Sequence, residues 1–179
     1  MKLVFRRRDL ARMVFGLSLA LASGGAWAVS QRREAALSLA AEAEQAFQGE
    51  RFDQALKLYG TAVAAGPTRG WPQLRYNLGN AAYRREDVAG ARAALREAMA
   101  GGDARLSRQA WFNLGDLALA TGELEAAEEA FKAVLREDPA DLDAKHNLEL
   151  AQALRQGTAS PTPAASPSAQ PSGTPPTPT

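Results

Sequence analysis

His146 is the only histidine in the chain, and cysteine is absent. A zinc site built from several His or Cys ligands has nothing to draw on, and thiolate nucleophiles and disulfides are excluded outright. A Ser-His-Asp site would have to bring Ser38, Ser107 or a serine of the C-terminal stretch to His146, and none of these lies in a nucleophile-elbow sequence. Gly101-Gly102 is followed by no Gly-Lys-Ser/Thr, so no phosphate loop is present. The acidic pair Glu128-Glu129 lies in an alternating charge pattern that reads as a solvated helix face. These residues predict no catalytic group, no metal and no cofactor: the chain is expected not to be an enzyme.

A second set of residues suits binding. Gln73, Tyr76, Asn77, Asn80, Tyr83 and Arg84 recur at the i, i+3, i+4, i+7 spacing that puts them on one stripe of a helix. Gln109, Phe112, Asn113, Asp116 and Leu119 repeat the stripe 36 residues later, and His146-Asn147 continue it. An Asn side chain carries a donor and an acceptor together, which suits the main chain of an extended peptide. Tyr76, Tyr83 and Phe112 offer apolar platforms for the peptide's side chains. The competing expectation is that Asn77 and Asn113 brace neighbouring helices and that the aromatics belong to the core.

The elements that position these residues are helices in pairs. Between Trp111 and Pro139, apolar residues fall at helical spacing on both sides of a break at Thr121-Gly122. Gly115 and Ala127 are small where two helices cross closely. Pro139 ends the second helix, and Asp141 caps the next. The pattern recurs upstream: Asn77-Leu78-Gly79-Asn80 matches Asn113-Leu114-Gly115-Asp116 at a separation of 36 residues, and Ala55, Ala91 and Ala127 share that spacing. Tyr59, Leu95 and Phe131 follow these alanines by four residues, Pro67 closes the first unit, and Asn147-Leu148-Glu149 opens one more helix. Such a pair cannot bury its apolar face alone, so repetition is what makes it stable.

An Asn-Leu-Gly, a helix break, a small residue, an aromatic and a proline in a unit of about 34 residues resemble the tetratricopeptide repeat, or TPR. The resemblance implies an all-α solenoid of about three helix pairs plus a C-terminal capping helix. Residues 31–156 form that domain, with units near 36–69, 72–103 and 108–139 and a capping helix over 141–156. The first unit lacks Asn-Leu-Gly and is carried by Phe52, Ala55, Tyr59, Ala62 and Pro67, and Trp71 is expected to pack over the joint that follows. Some members of this family clamp a C-terminal carboxylate with Lys and Asn. At the matching stripe of the first unit this chain has Ala40 and Glu44, which predicts that the clamp is absent.

The flanks carry other information. Lys2, Arg6, Arg7, Arg8 and Arg12 precede an uncharged run from Met13 to Ser30 containing Gly24-Gly25 and Ala26-Trp27-Ala28. A basic start, a short apolar core, a helix-breaking pair and an A-x-A triplet predict a signal peptide over 1–28, cleaved after Ala28. The alternative is an uncleaved inner-membrane anchor, since the run sits at the short limit for spanning a bilayer. Both place the helical body in the periplasm, with the membrane engaged only through this segment if it is retained. The formal net charge of +1 comes from the N-terminus: beyond residue 12 the chain keeps 16 basic against 19 acidic residues. That mildly acidic body predicts no nucleic-acid partner. Residues 157–179 are Pro, Ser, Thr, Ala and Gly with one Gln, without charge or bulky apolar side chains, and are expected to be a disordered spacer.

A finer likeness rests on Arg75 to Tyr83 (RYNLGNAAY), Asp138-Pro139 and Asp143 to Ala151 (DAKHNLELA). These resemble the TPR proteins of bacterial aerotolerance, or Bat-type, operons, though the Pro/Thr-rich tail departs from the Gln-rich tails of that group. The resemblance implies a partner among von Willebrand A-domain membrane proteins and an associated MoxR-type ATPase. The chain is thus expected to be an exported adaptor for a protein or extended peptide. The alternative is a structural envelope module that associates with itself at the membrane.

Overall fold

The computed structural model describes residues 7–66, 71–101 and 103–157, with side chains from Trp27 onward. Seven helices account for nearly all of these residues, and there is no strand among them. The helices are α1 (Arg7–Gln48), α2 (Phe52–Ala65), α3 (Pro72–Arg84), α4 (Val88–Met99), α5 (Ala104–Ala120), α6 (Leu124–Glu137) and α7 (Leu142–Arg155). They pack as the pairs α1–α2, α3–α4 and α5–α6, each stacked on the next, with α7 closing against α6. The first helices of successive pairs also touch, α3 with α5 and α5 with α7, so they share one side of the stack. This is the expected all-α solenoid.

Local signals explain the helix limits. The side chains of Asp87, Asp103 and Asp141 accept from the backbone N–H three residues on, at 2.9, 2.8 and 2.9 Å, capping α4, α5 and α7. Within each pair the turn is made at one repeated position: Glu50, Glu86 and Gly122 stand 36 residues apart and have φ of 56°, 60° and 76°. Alanine supplies much of the core, and the largest fully buried side chains are Tyr59, Phe131, Leu95 and Val134. Gly79 and Gly115 admit Leu95 and Phe131: a Cβ on either glycine would stand 2.8 or 2.6 Å from the facing side chain. Arg92 forks onto the carboxylate of Glu123, tying the second unit to the turn of the third. The half-buried Trp71 N-caps α3 with φ 64° and packs on the first core cluster, against Gly66.

Two expectations are corrected. Gly24-Gly25 does not break the helix, because α1 runs unbroken from Arg7 to Gln48. A glycine keeps its N–H and its helical hydrogen bond, so each weakens the helix by only about 1 kcal/mol where proline would cost about 3. Glu128 is not solvated: it is 6% exposed, and its oxygens accept from Arg155 Nε at 2.5 Å and Lys132 Nζ at 2.9 Å. These cations, Lys132 first, hold its carboxyl below the usual range. Among the described residues no helix is long and apolar enough to cross a membrane. The signal-peptide or anchor reading rests largely on side chains outside the described residues. So do the Pro67 stop, the Thr68–Gly70 connection and the tail from residue 158.

Candidate functional site

The stripe foreseen on the first helices is assembled at the shared side of α3, α5 and α7. Three-residue and four-residue steps stack its side chains along each helix, and the 36-residue repeat places them beside one another between helices. Asn113 Nδ2 lies 2.7 Å from Asn80 Oδ1 and 3.0 Å from Tyr76 Oη. One unit on, Asn147 Nδ2 donates to Asp116 Oδ1 at 3.0 Å. One unit back, Tyr59 Oη donates to Glu44 Oε2 at 2.7 Å, and Gln73 Nε2 donates to Asn77 Oδ1 at 3.1 Å. Glu44, Asn80 and Asp116 thus occupy one repeat position, and α5 and α7 supply the amides that bind Asn80 and Asp116.

Burial divides the candidate residues. Tyr76, Asn77, Asn80, Asn113 and Asp116 are buried, with Tyr76 only 3% exposed inside the second core cluster. Its ring packs against the core and is not offered as a platform. Tyr83, Arg84 and Phe112 are half-buried and His146 is exposed. The Arg84 guanidinium sits 4.2 Å over the Phe52 ring, a cation–π contact that holds it at the first unit. Phe112 meets Phe131 edge-on at 5.6 Å while keeping part of its surface open. The third helix joins the cluster through Asn147; His146 is not in it. The signal for Asn147 was its spacing of 34 residues from Asn113. Glu44 was placed on the matching stripe of the first unit, 36 residues before Asn80, but its partner Tyr59 was not foreseen as part of the ladder.

The electrostatics are unusual at two atoms. Burial raises the Asp116 carboxyl to about 7, the Asn147 hydrogen bond opposes the rise, and the nearby Asp143 charge adds to it. Asn80 Nδ2 is buried and has no hydrogen-bond partner in the structure. A buried donor left open costs about 1–3 kcal/mol. Tyr59 and Tyr76 hydroxyls are both held neutral, chiefly by burial. Among the described residues no group of three or more His, Cys, Asp or Glu is placed to hold a metal ion. The site is a hydrogen-bonding floor of amides and one protonatable carboxyl, flanked by Tyr83 and Phe112.

Comparison with known proteins gives a consistent result. A family model described as tetratricopeptide repeat matches residues 40–105 and 76–141. Among solved structures, the first TPR of Spaghetti (RPAP3) bound to the HSP90 peptide SRMEEVD is 25% identical, with a TM-score of 0.58 over 68% of this chain and 94% of that one. The first TPR domain of human RPAP3 is 26% identical, with a TM-score of 0.59 over 69% and 95%. The TPR domain of Sgt2 from Aspergillus fumigatus shares the fold at 18% identity and a TM-score of 0.58, covering 75% of this chain and 90% of that one. No curated protein matches the sequence.

Proposed function

The chain belongs to the tetratricopeptide-repeat family, and from that premise we propose that it is a non-enzymatic adaptor that seats an extended segment of a partner protein on the stripe of α3, α5 and α7. The observation that carries this reading is the aligned row of side-chain amides, Asn80, Asn113 and Asn147, bordered by the part-exposed rings of Tyr83 and Phe112. Side-chain amides offer donors and acceptors to the N–H and C=O groups of an extended chain, and the rings offer apolar cover for its side chains. That a similar TPR domain has been solved with a bound peptide supports a peptide partner.

The finer reading is an exported protein of the bacterial envelope, acting in the periplasm with a von Willebrand A-domain membrane protein and a MoxR-type ATPase. Its supports are the basic and apolar N-terminal segment and the DAKHNLELA run that forms most of α7. The test is a photo-crosslinking residue at Tyr83 or Phe112 in the native cell, read by mass spectrometry. A crosslinked A-domain protein and a mature mass beginning at Val29 are expected. Crosslinks from the convex helices α2 and α4 alone would move the binding surface away from the stripe. A crosslinked chain that keeps residues 1–28 would replace the soluble adaptor with a tethered one.

A further inference from the structure

We propose that the stripe selects a segment carrying a cationic side chain, with Asp116 as the counter-charge. The inference rests on the peptide-binding reading above and adds the chemistry of what is bound. Asp116 uses one oxygen, Oδ1, for Asn147, and no second hydrogen bond reaches its carboxyl among the described residues. A carboxyl with one oxygen uncommitted is what a basic side chain of an extended segment would satisfy.

Three of the arginines around the stripe are committed elsewhere. Neither α3 nor α5 contains a lysine, and the one on α7, Lys145, is exposed. Arg75 pairs with Glu97, Arg108 pairs with Asp138, and Arg84 lies over Phe52. Glu44 repeats the carboxylate at the equivalent position of the first unit. The charged groups that act on the cluster are Asp143 on α7, which reinforces the negative side, and Arg105 in the first turn of α5, which acts on Tyr76. A segment rich in carboxylates, such as the SRMEEVD bound by the similar RPAP3 domain, would meet Asp116 and Glu44 with no lysine on α3 or α5 to receive it.

Two heptapeptide probes test this on the full chain: SRMEEVD with a free C-terminus, and SRMKKVR with an amidated one. Binding is followed by NMR at the side-chain amides of Asn80, Asn113 and Asn147. The cationic probe should shift these resonances and bind at least about tenfold more tightly than the acidic one, the scale of one charge-assisted hydrogen bond. Asp116→Asn should remove that preference, with its circular dichroism showing an intact fold. A second readout needs no variant: at pH 6, calorimetry in buffers of different ionisation heat should show a proton released as the cationic probe binds. Tighter binding of SRMEEVD at the same amides, or no proton release, overturns the cation assignment and leaves the groove in place. Silence of all three amides with both probes overturns the groove reading and this inference with it.

Discussion

Asn113 on α5 reaches back one unit to Asn80 on α3, Nδ2 to Oδ1 at 2.7 Å, while also donating to Tyr76 Oη at 3.0 Å. Asn147 repeats the gesture toward Asp116 at 3.0 Å. The asparagine of each of these units therefore fixes the rotation of its own first helix against the one before. The residues that line the candidate groove are the residues that hold adjacent units in register, so brace and binding floor are one structure.

Asn113→Ala leaves the Asn80 carbonyl oxygen without its donor in a buried cluster. Stability in urea should fall by about 2 kcal/mol, within the range for orphaning buried polar groups. Asn113→Asp, which keeps the size but removes the donors, should be at least as damaging. Equilibrium unfolding checks both, and a loss below about 0.5 kcal/mol would mean that apolar packing alone sets the register.

Asp116 makes stability depend on pH in an uncommon direction. Its folded value, about 7, lies above the ordinary carboxyl value of 3.8, so the folded chain holds the proton more tightly than the unfolded one. The stabilising contribution is full below about pH 4 and is lost as pH rises through 7. Against it work the ordinary carboxylates, so the clean measurement is a difference: the stability gap between wild type and Asp116→Asn should shift in favour of the variant between pH 4 and pH 8. A gap that stays flat over this range would show that Asp116 is ionised and solvated.

Two glycines should respond oppositely to alanine. At Gly115 a Cβ would stand 2.6 Å from a ring carbon of the fully buried Phe131, so Gly115→Ala should destabilise by about 1–3 kcal/mol despite its better helix propensity. At Gly60, inside α2, a Cβ meets nothing within 4 Å. Gly60→Ala should stabilise by about 0.5–1 kcal/mol. Thermal melts of the two variants side by side check the sign of each.

The repeated turn offers a third comparison. Glu86 holds φ of 60° where the next unit has Gly122 at 76°. Left-handed backbone costs an L-residue about 1–2 kcal/mol, and part of that returns as the extra freedom of glycine in the unfolded chain. Glu86→Gly should therefore raise stability by up to about 1 kcal/mol, and Gly122→Glu should lower it by a similar amount. Equal melting temperatures for all three proteins would place the turn outside the cooperative unit.

Arg155 on α7 reaches the buried Glu128 on α6, and with Lys132 it satisfies both carboxylate oxygens. Arg155→Ala should loosen α7 before the rest of the solenoid, seen as faster amide exchange in Leu142–Arg155 with α3 and α4 unchanged. Uniform exchange across the chain would show that Ala144 and Ala151, both fully buried, are enough to hold the helix.

The repeat was legible because it is local. Helical spacing, aspartates at helix starts, and the 36-residue recurrence of Ala55, Ala91 and Ala127 all depend on neighbours within one or two turns or on identity at a fixed offset. The same arithmetic put Tyr76, Asn80, Asn113 and Asp116 on one stripe. It left open whether that stripe faced solvent or the core. Packing between units answered this: stacking α5 on α3 buries Tyr76 and Asn80 beneath Asn113, and stacking α7 on α5 buries Asp116 beneath Asn147. Glu128 shows the same division. An acidic residue in an alternating charge pattern reads as solvated until a helix from 27 residues away lays an arginine across it. Periodicity and caps are written along the chain, so the sequence determined the helices, their pairing and the solenoid. Which polar side chains lost water, and which of them gained a partner, depended on distances between units, and only the tertiary structure decided those.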